Sequence, residues 1–214
     1  MAKLVWDASG TREFETGLDR GVLYDSNYRG YVWNGLSSVS RAYSDYDAEA
    51  TYIEGIKQGD RATTGTFEGS ITAFTYPNEF LPFEGSVEVS SGLYLGEQAP
   101  KTFGLSYRTR VDSDVTSERH YKIHHLYNLT AQPTTRNFET LTNDPGAMEF
   151  EWDISSVPAD VTGYYPSAHL VVDTRYIHPT LLWILESTFY GNEWSSARQM
   201  PPNELISYCK NWKP

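Results

Sequence analysis

Glu149-Phe150-Glu151-Trp152-Asp153-Ile154 alternates an acid with a large apolar residue at every step. That is the period of a β-strand, in which neighbouring side chains leave on opposite faces. One face carries Phe150, Trp152 and Ile154, and the other carries Glu149, Glu151 and Asp153. A helix would scatter both sets around its axis. The stretch therefore reads as a strand with one buried face and one acidic face.

The same period recurs outward from it. Thr102 to Val111 sets Phe103, Leu105 and Tyr107 against Gly104, Ser106 and Arg108. Tyr121 to Leu129 sets Tyr121, Ile123, Tyr127 and Leu129 against Lys122, His124 and Asn128. Ser70 to Tyr76 puts Ile71 and Ala73 on one face and Phe74 and Tyr76 on the other. Further strands are expected at Lys3 to Trp6, Gly21 to Asp25, Leu36 to Ser40, Gly85 to Ser90 and Ser167 to Thr174, separated by Pro-, Gly- and Asp-rich turns. Helix is expected only late in the chain. His178 to Gly191 has proline in its first turn and glycine just past its end, and a short second helix follows Pro201-Pro202 from about Asn203 to Cys209. The fold class is mainly β: an antiparallel sandwich or partial barrel with one flanking α-helix and a short C-terminal helix.

The chain of 214 residues has no internal repeat or low-complexity segment, and the simplest reading is one β domain over 1–191 with a C-terminal extension over 192–214. The stretch from Arg41 to Thr66 breaks the pattern: it is polar and tyrosine-rich, with weak strand character only around Thr51 to Lys57. It reads as a long loop excursion, and loops of that length inside a compact domain usually carry function.

Charge and composition narrow the function. Seventeen Lys and Arg against twenty-eight Asp and Glu give a net charge of −11, which repels phosphate and disfavours tight binding of nucleic acid or anionic membrane. Aromatic residues make up 14% of the chain, a share suited to strands and large interfaces. The single cysteine, Cys209, excludes an intrachain disulfide. The first residues show no apolar signal-peptide core, and the apolar run Leu181 to Leu185 is far short of the ~18 residues that span a bilayer.

No catalytic, cofactor or metal site is expected. His120, His124, His125, His169 and His178 fall in no metal-ligand spacing, and His124 and His125 point to opposite strand faces. Glu149, Glu151 and Asp153 could be assembled into a hydrolase pair on paper, but an acidic solvated strand face accounts for them more simply. Nucleophile elbows, phosphate-cradling glycine loops and dinucleotide fingerprints are missing from the sequence. Trp6, Trp33, Trp152, Trp183, Trp194 and Trp212 could include sugar-stacking platforms, although Trp152 and Trp183 fall on apolar faces, where core packing explains them better. A carbohydrate-binding β-sandwich is thus the alternative to a structural role.

Several blocks resemble a known family. Leu4-Val5-Trp6-Asp7, Glu15-Thr16-Gly17-Leu18-Asp19-Arg20-Gly21-Val22-Leu23-Tyr24 and Val32-Trp33-Asn34-Gly35-Leu36 resemble, in order and spacing, the N-terminal signature of siphophage major tail proteins. The likeness continues through Glu68 to Phe80, Lys101 to Thr109, Tyr121 to His124, the acidic strand ending at Ile154 and the Pro179 helix closing at Tyr190-Gly191. It spans most of Leu4 to Gly191 and departs between Arg41 and Thr66 and after Asn192. The resemblance implies a virion protein made in the host bacterial cytoplasm. Six copies would close into a ring, and rings would stack into a hollow tail tube that passes DNA without binding it. The implied partners are other copies of the chain, a tape-measure protein in the lumen and capping proteins at the tube ends. Two surfaces are expected to serve such a role: an assembly loop carrying Tyr43, Tyr46, Tyr52, Ile53 and Ile56, and an acidic lumen face of Glu149, Glu151 and Asp153.

Overall fold

In the computed structural model, which describes residues 6, 12–43, 48–53, 56–62, 67–114, 120–136, 138, 140 and 146–212, residues 43, 48–53 and 56–62 are described through their backbone. The strands are β1 (Glu13–Tyr24), β2 (Gly30–Trp33), β3 (Leu36–Tyr43), β4 (Ala48–Ile53), β5 (Ile56–Ala62), β6 (Phe67–Ala73), β7 (Val87–Ser90), β8 (Leu93–Leu95), β9 (Phe103–Ser113), β10 (His120–Pro133), β11 (Phe150–Ser156) and β12 (His169–Asp173). A 3-10 helix spans Asn78–Phe83, and the helices are α1 (Pro179–Tyr190) and α2 (Pro202–Asn211). Lys3 to Val5, most of the first expected strand, lies outside the described residues.

Eight strands form one antiparallel sheet in the order β2-β1-β9-β10-β11-β6-β3, with β12 also paired to β10. β10 holds it together. Its first half pairs with β9 on one side and β12 on the other, whereas its last residues, Leu129 to Pro133, pair with β11. The switch happens at a bulge between Leu126 and Leu129, where Asn128 takes a left-handed conformation with φ 52°. The sheet thereby folds into two layers: β2-β1-β9-β10-β12, and β10-β11-β6-β3. The bulge also corrects the expected alternation. Leu129 does not share a face with Ile123 and Tyr127. The extra residue turns it to the opposite side, where it joins Leu126 in the core between the layers.

That core is built from Leu23, Trp33, Ile71, Phe103, Leu105 and Ile154 around Trp152 and Phe80. Ring centroids lie 5.1 Å apart for Phe80 and Trp152, 4.6 Å for Trp33 and Phe80, and 5.4 Å for Tyr76 and Trp152. The Trp33–Phe80 pair is tilted and the other two are edge-to-face, and packing of this kind adds to the burial of each ring. The buried Trp152 indole donates to Glu84 Oε2 at 3.0 Å, and the same oxygen accepts from Arg136. Tyr76 belongs to this cluster instead of pointing away with Phe74, because β6 ends at Ala73 and Pro77 turns the chain inward.

α1 and α2 cover the outer face of the first layer. The expected helix boundaries hold closely: Pro179 occupies the first turn, His178 Nδ1 accepts from the Thr180 amide, and Gly191 follows the last residue. Leu181, Leu185 and Phe189 form the buried stripe at helical spacing, and they pack on Ile123, Val172, Met200 and Leu205. Trp183 lies off that stripe and is 66% exposed, so the expectation that core packing explains it is overturned. The segment after Gly191 is stitched to the first layer: Gln199 donates to the Leu126 carbonyl, Tyr127 to the Met200 carbonyl and the Gly30 amide to the Ala197 carbonyl.

Two substitutions test this frame by urea denaturation. Trp152→Ala is expected to cost about 3–5 kcal/mol, as for other large aromatic cores. Asn128→Gly should be tolerated, whereas Asn128→Val, forced into a left-handed backbone, should cost on the order of 1–3 kcal/mol.

Candidate functional site

The strand segment 30–43 pairs with β1 in its first part and with β6 in its second, turning at Asn34-Gly35, where Gly35 has φ 78°. The partial barrel therefore fails to close along one line. From Gly21 and Leu36 a seam opens between Glu13–Arg20 of β1 and the outer edge of β3. Among the described residues, β1 over that span pairs only with β9, and β3 pairs only with β6. Two register shifts against β9, with Gly17 at φ 59° and Arg20 at φ 51°, bend this half of β1. Asp19 anchors it by a paired contact with Arg108, Nε to Oδ1 at 2.6 Å and Nη2 to Oδ2 at 2.8 Å, with Arg110 adding to the same carboxylate. These hydrogen bonds hold the Asp19 carboxyl below the usual carboxylate range.

The 41–66 excursion is not an open loop. β3 continues through Tyr43, which pairs with Phe67, and β4 and β5 form an antiparallel hairpin between them. Ile53 and Ile56 face each other at its tip, Tyr52 pairs with Lys57, and Tyr43 sits at the root. Tyr46 lies outside the described residues. Weak alternation in 48–62 hid this hairpin from the sequence reading.

Glu151 and Asp153 project from the outer face of β11, as their alternation requires, and both are exposed. Glu149 precedes the strand and is also exposed. Glu151 and Asp153 help line a polar trough of about 500 Å³ with Ser40, Ser70, Thr130 and Gln132 from β3, β6 and β10. This is a broad hydrophilic sheet face bordering the open edge of β3.

The strand expected over Gly85 to Ser90 is present as β7, and the structure adds three further features. β7 and β8 form a hairpin on which Val87, Val89, Leu93 and Leu95 are all exposed. An apolar groove of about 600 Å³ lies between β12 and α2, with Val171, Tyr165 and Tyr176 at its rim. The third is a row of polar side chains at the open end of the sandwich: Arg41, His169, His124, Thr109, Glu15 and Lys122, each within hydrogen-bond reach of the next. The alternation of β10 did place His124 and His125 on opposite faces. No spacing rule could have paired His124 with His169, because the pairing depends on β12 lying beside β10.

Burial sets the titration of these histidines. It pushes His169 down to about 4, with His124 and Arg41 adding to the effect, and it lowers His124 despite the pull of Glu15. His125, wholly buried against the Phe189 ring at 4.2 Å and without a hydrogen-bond partner for either ring nitrogen among the described residues, falls to about 3. Among the described residues no group of three or more His, Cys, Asp or Glu is placed to hold a metal ion. No described helix is long and apolar enough to cross a membrane.

No protein-family model matches the chain, and no curated protein matches its sequence. Over the described residues the chain is a mainly antiparallel β-sandwich with two helices on one face, an open seam and an acidic trough.

The histidines predict the pH dependence of stability. Their pKa values are lower in the folded state than the ~6.5 of a free imidazole, so the unfolded chain binds more protons as pH falls. Stability should be highest above pH 6.5 and decline toward about 4, where His169 also takes its proton. Urea midpoints measured from pH 8 to 4 should show the decline, and His125→Leu should flatten it.

Proposed function

We propose that this chain is the structural subunit of a bacteriophage tail tube, self-assembling into stacked, hexameric rings that form a conduit for DNA. The open seam is the observation that supports this reading most. Unpaired edge N–H and C=O groups invite another strand, and most monomers blunt such edges. Here two edges flank one gap, so β3 of one copy can add to β1 of the next, and repetition around an axis closes a ring with no edge left. The resemblance supplies the number six, the virion tail as location, and the tape-measure and capping proteins as partners.

Other features fit the same role. The β4–β5 hairpin is inserted at the end of the open β3 edge, where a neighbouring copy would meet it. If β3 pairs with a neighbour, the trough carrying Glu151 and Asp153 becomes part of a continuous wall. An acidic wall repels phosphate and lets DNA pass without being held. The exposed apolar hairpin β7–β8 and the groove between β12 and α2 are surfaces that assembly would cover.

A second reading, a carbohydrate-binding virion module, draws on Trp183 and Trp194, which are 66% and 91% exposed. Negative-stain microscopy at rising protein concentration separates the two. Rings and tubes are expected; a monomer at every concentration that is retained on a glycan resin would favour the second reading. Phe14→Lys with Ser38→Lys, both on exposed edge positions, should abolish assembly while changing monomer stability by less than about 0.5 kcal/mol per site. Glu151→Lys with Asp153→Lys should leave tubes intact and make them retain DNA at low salt.

A further inference from the structure

The polar row at the open end of the sandwich has only one consistent placement of its hydrogens. A guanidinium can donate but never accept. Arg41 Nη1 lies 2.8 Å from His169 Nδ1, so that nitrogen is bare and accepts. The one hydrogen of a neutral His169 is then on Nε2, which lies 3.0 Å from His124 Nδ1. His124 must accept there, which puts its own hydrogen on Nε2, 3.0 Å from Thr109 Oγ1. The Thr109 hydroxyl passes its hydrogen to Glu15 Oε1 at 2.5 Å, and Glu15 Oε2 accepts from Lys122 Nζ at 2.5 Å. Every link from Arg41 to Glu15 donates in one direction, and the row ends on a carboxylate.

The row crosses between the layers. Arg41 belongs to β3, which pairs only with β6 among the described strands, whereas His169 is on β12, which pairs only with β10. Tyr107 stacks on His124 at 4.7 Å and 4°, and the His124 and His169 rings lie edge to edge and nearly coplanar, centroids 5.3 Å apart at 11°, as an in-plane N–H···N bond requires. Phe67 of β6 lies against His169 and beneath the Arg41 guanidinium.

We propose that Arg41, His169 and His124 together form a proton-released latch between the two layers, in which Arg41–His169 is the bond that crosses and His124 fixes the hydrogen placement of His169; it is closed while both imidazoles are neutral and opened when either accepts a proton. A proton arriving on His169 must occupy Nδ1, against an Arg41 N–H. A proton arriving on His124 must occupy Nδ1, against the His169 Nε2–H. Either event sets two donors face to face and removes a bond from the row. It also adds positive charge beside Arg41 from β3 and Lys122 from β10. Glu15 from β1, 3.4 Å from His124 Nε2, is the facing carboxylate and offsets only part of that charge. Arg41 and Phe67 sit at the end of β3 and the start of β6, so opening is local to those segments, where the β4–β5 hairpin is rooted. The device does not depend on assembly.

The depressed titration of both histidines keeps the latch closed at neutral pH. Opening returns them to water and to an ordinary imidazole affinity, so release belongs between pH 6.5 and about 4. The test is nuclear magnetic resonance on the full chain. At pH 7.5, long-range proton–nitrogen spectra should show His124 and His169 both protonated on Nε2 and bare on Nδ1. As the pH falls, backbone amides of 38–43 and 67–69 should lose hydrogen-exchange protection before those of β9 and β10, by roughly tenfold per pH unit beyond the intrinsic pH effect, the linkage of one proton. His169→Gln with His124→Gln keeps a donor and an acceptor at each position but cannot titrate, and it should abolish this selective loss. The same selective loss in the double variant would overturn the latch. So would a wild-type His169 protonated on Nδ1 at pH 7.5, a result that does not require the variant to fold.

Discussion

Asn128 lets one strand belong to two layers. β10 enters with β9 and β12 as neighbours, steps through a left-handed residue and leaves paired with β11. Both faces of the strand are buried in consequence: Ile123, His125 and Tyr127 against the helices, Leu126, Leu129 and Ala131 against the aromatic core. Without that step the two layers would be one flat sheet, and Trp152 would have no facing layer to pack against. The inter-layer core and the open seam follow from where β10 turns.

The seam is the counterpart of this closure. One side of the sandwich is joined by β10 itself, and the other by the bent segment 30–43, which can serve β1 and β6 only in succession. Among the described residues the facing edges of β1 and β3 add no further strand, which is the cost of that geometry in a monomer and an asset in a repeating assembly. The acidic trough and the β4–β5 insertion both lie along the β3 side of the gap. Their shared position, more than the chemistry of any one residue, is what ties the tube reading to the fold.

Much of this was legible from residue order. The alternations around Trp152, Leu105 and Ile123 identified their strands, and Pro179 and Gly191 bounded α1 within a residue, because pleat and capping are local rules. Leu129 was misassigned because a bulge cannot be seen in a binary pattern, and Tyr76 because the strand ended sooner than its aromatic spacing implied. The apolar run LLWIL points Trp183 to the core, but the run is continuous only in sequence and is partly buried once wound into a helix. The acidic face survived intact for Glu151 and Asp153. The histidine row was invisible, since its members come from β1, β3, β9, β10 and β12 and meet only through sheet order.

The central claim is that β3 of one copy pairs with β1 of another. Mixing two single-cysteine chains, Thr16→Cys and Ser38→Cys, each also carrying Cys209→Ser, and oxidising at assembling concentration tests it directly. The account predicts disulfide-linked pairs containing one chain of each kind, absent when either chain is oxidised alone. Only unlinked chains in the mixture, although tubes are visible by microscopy, would contradict it.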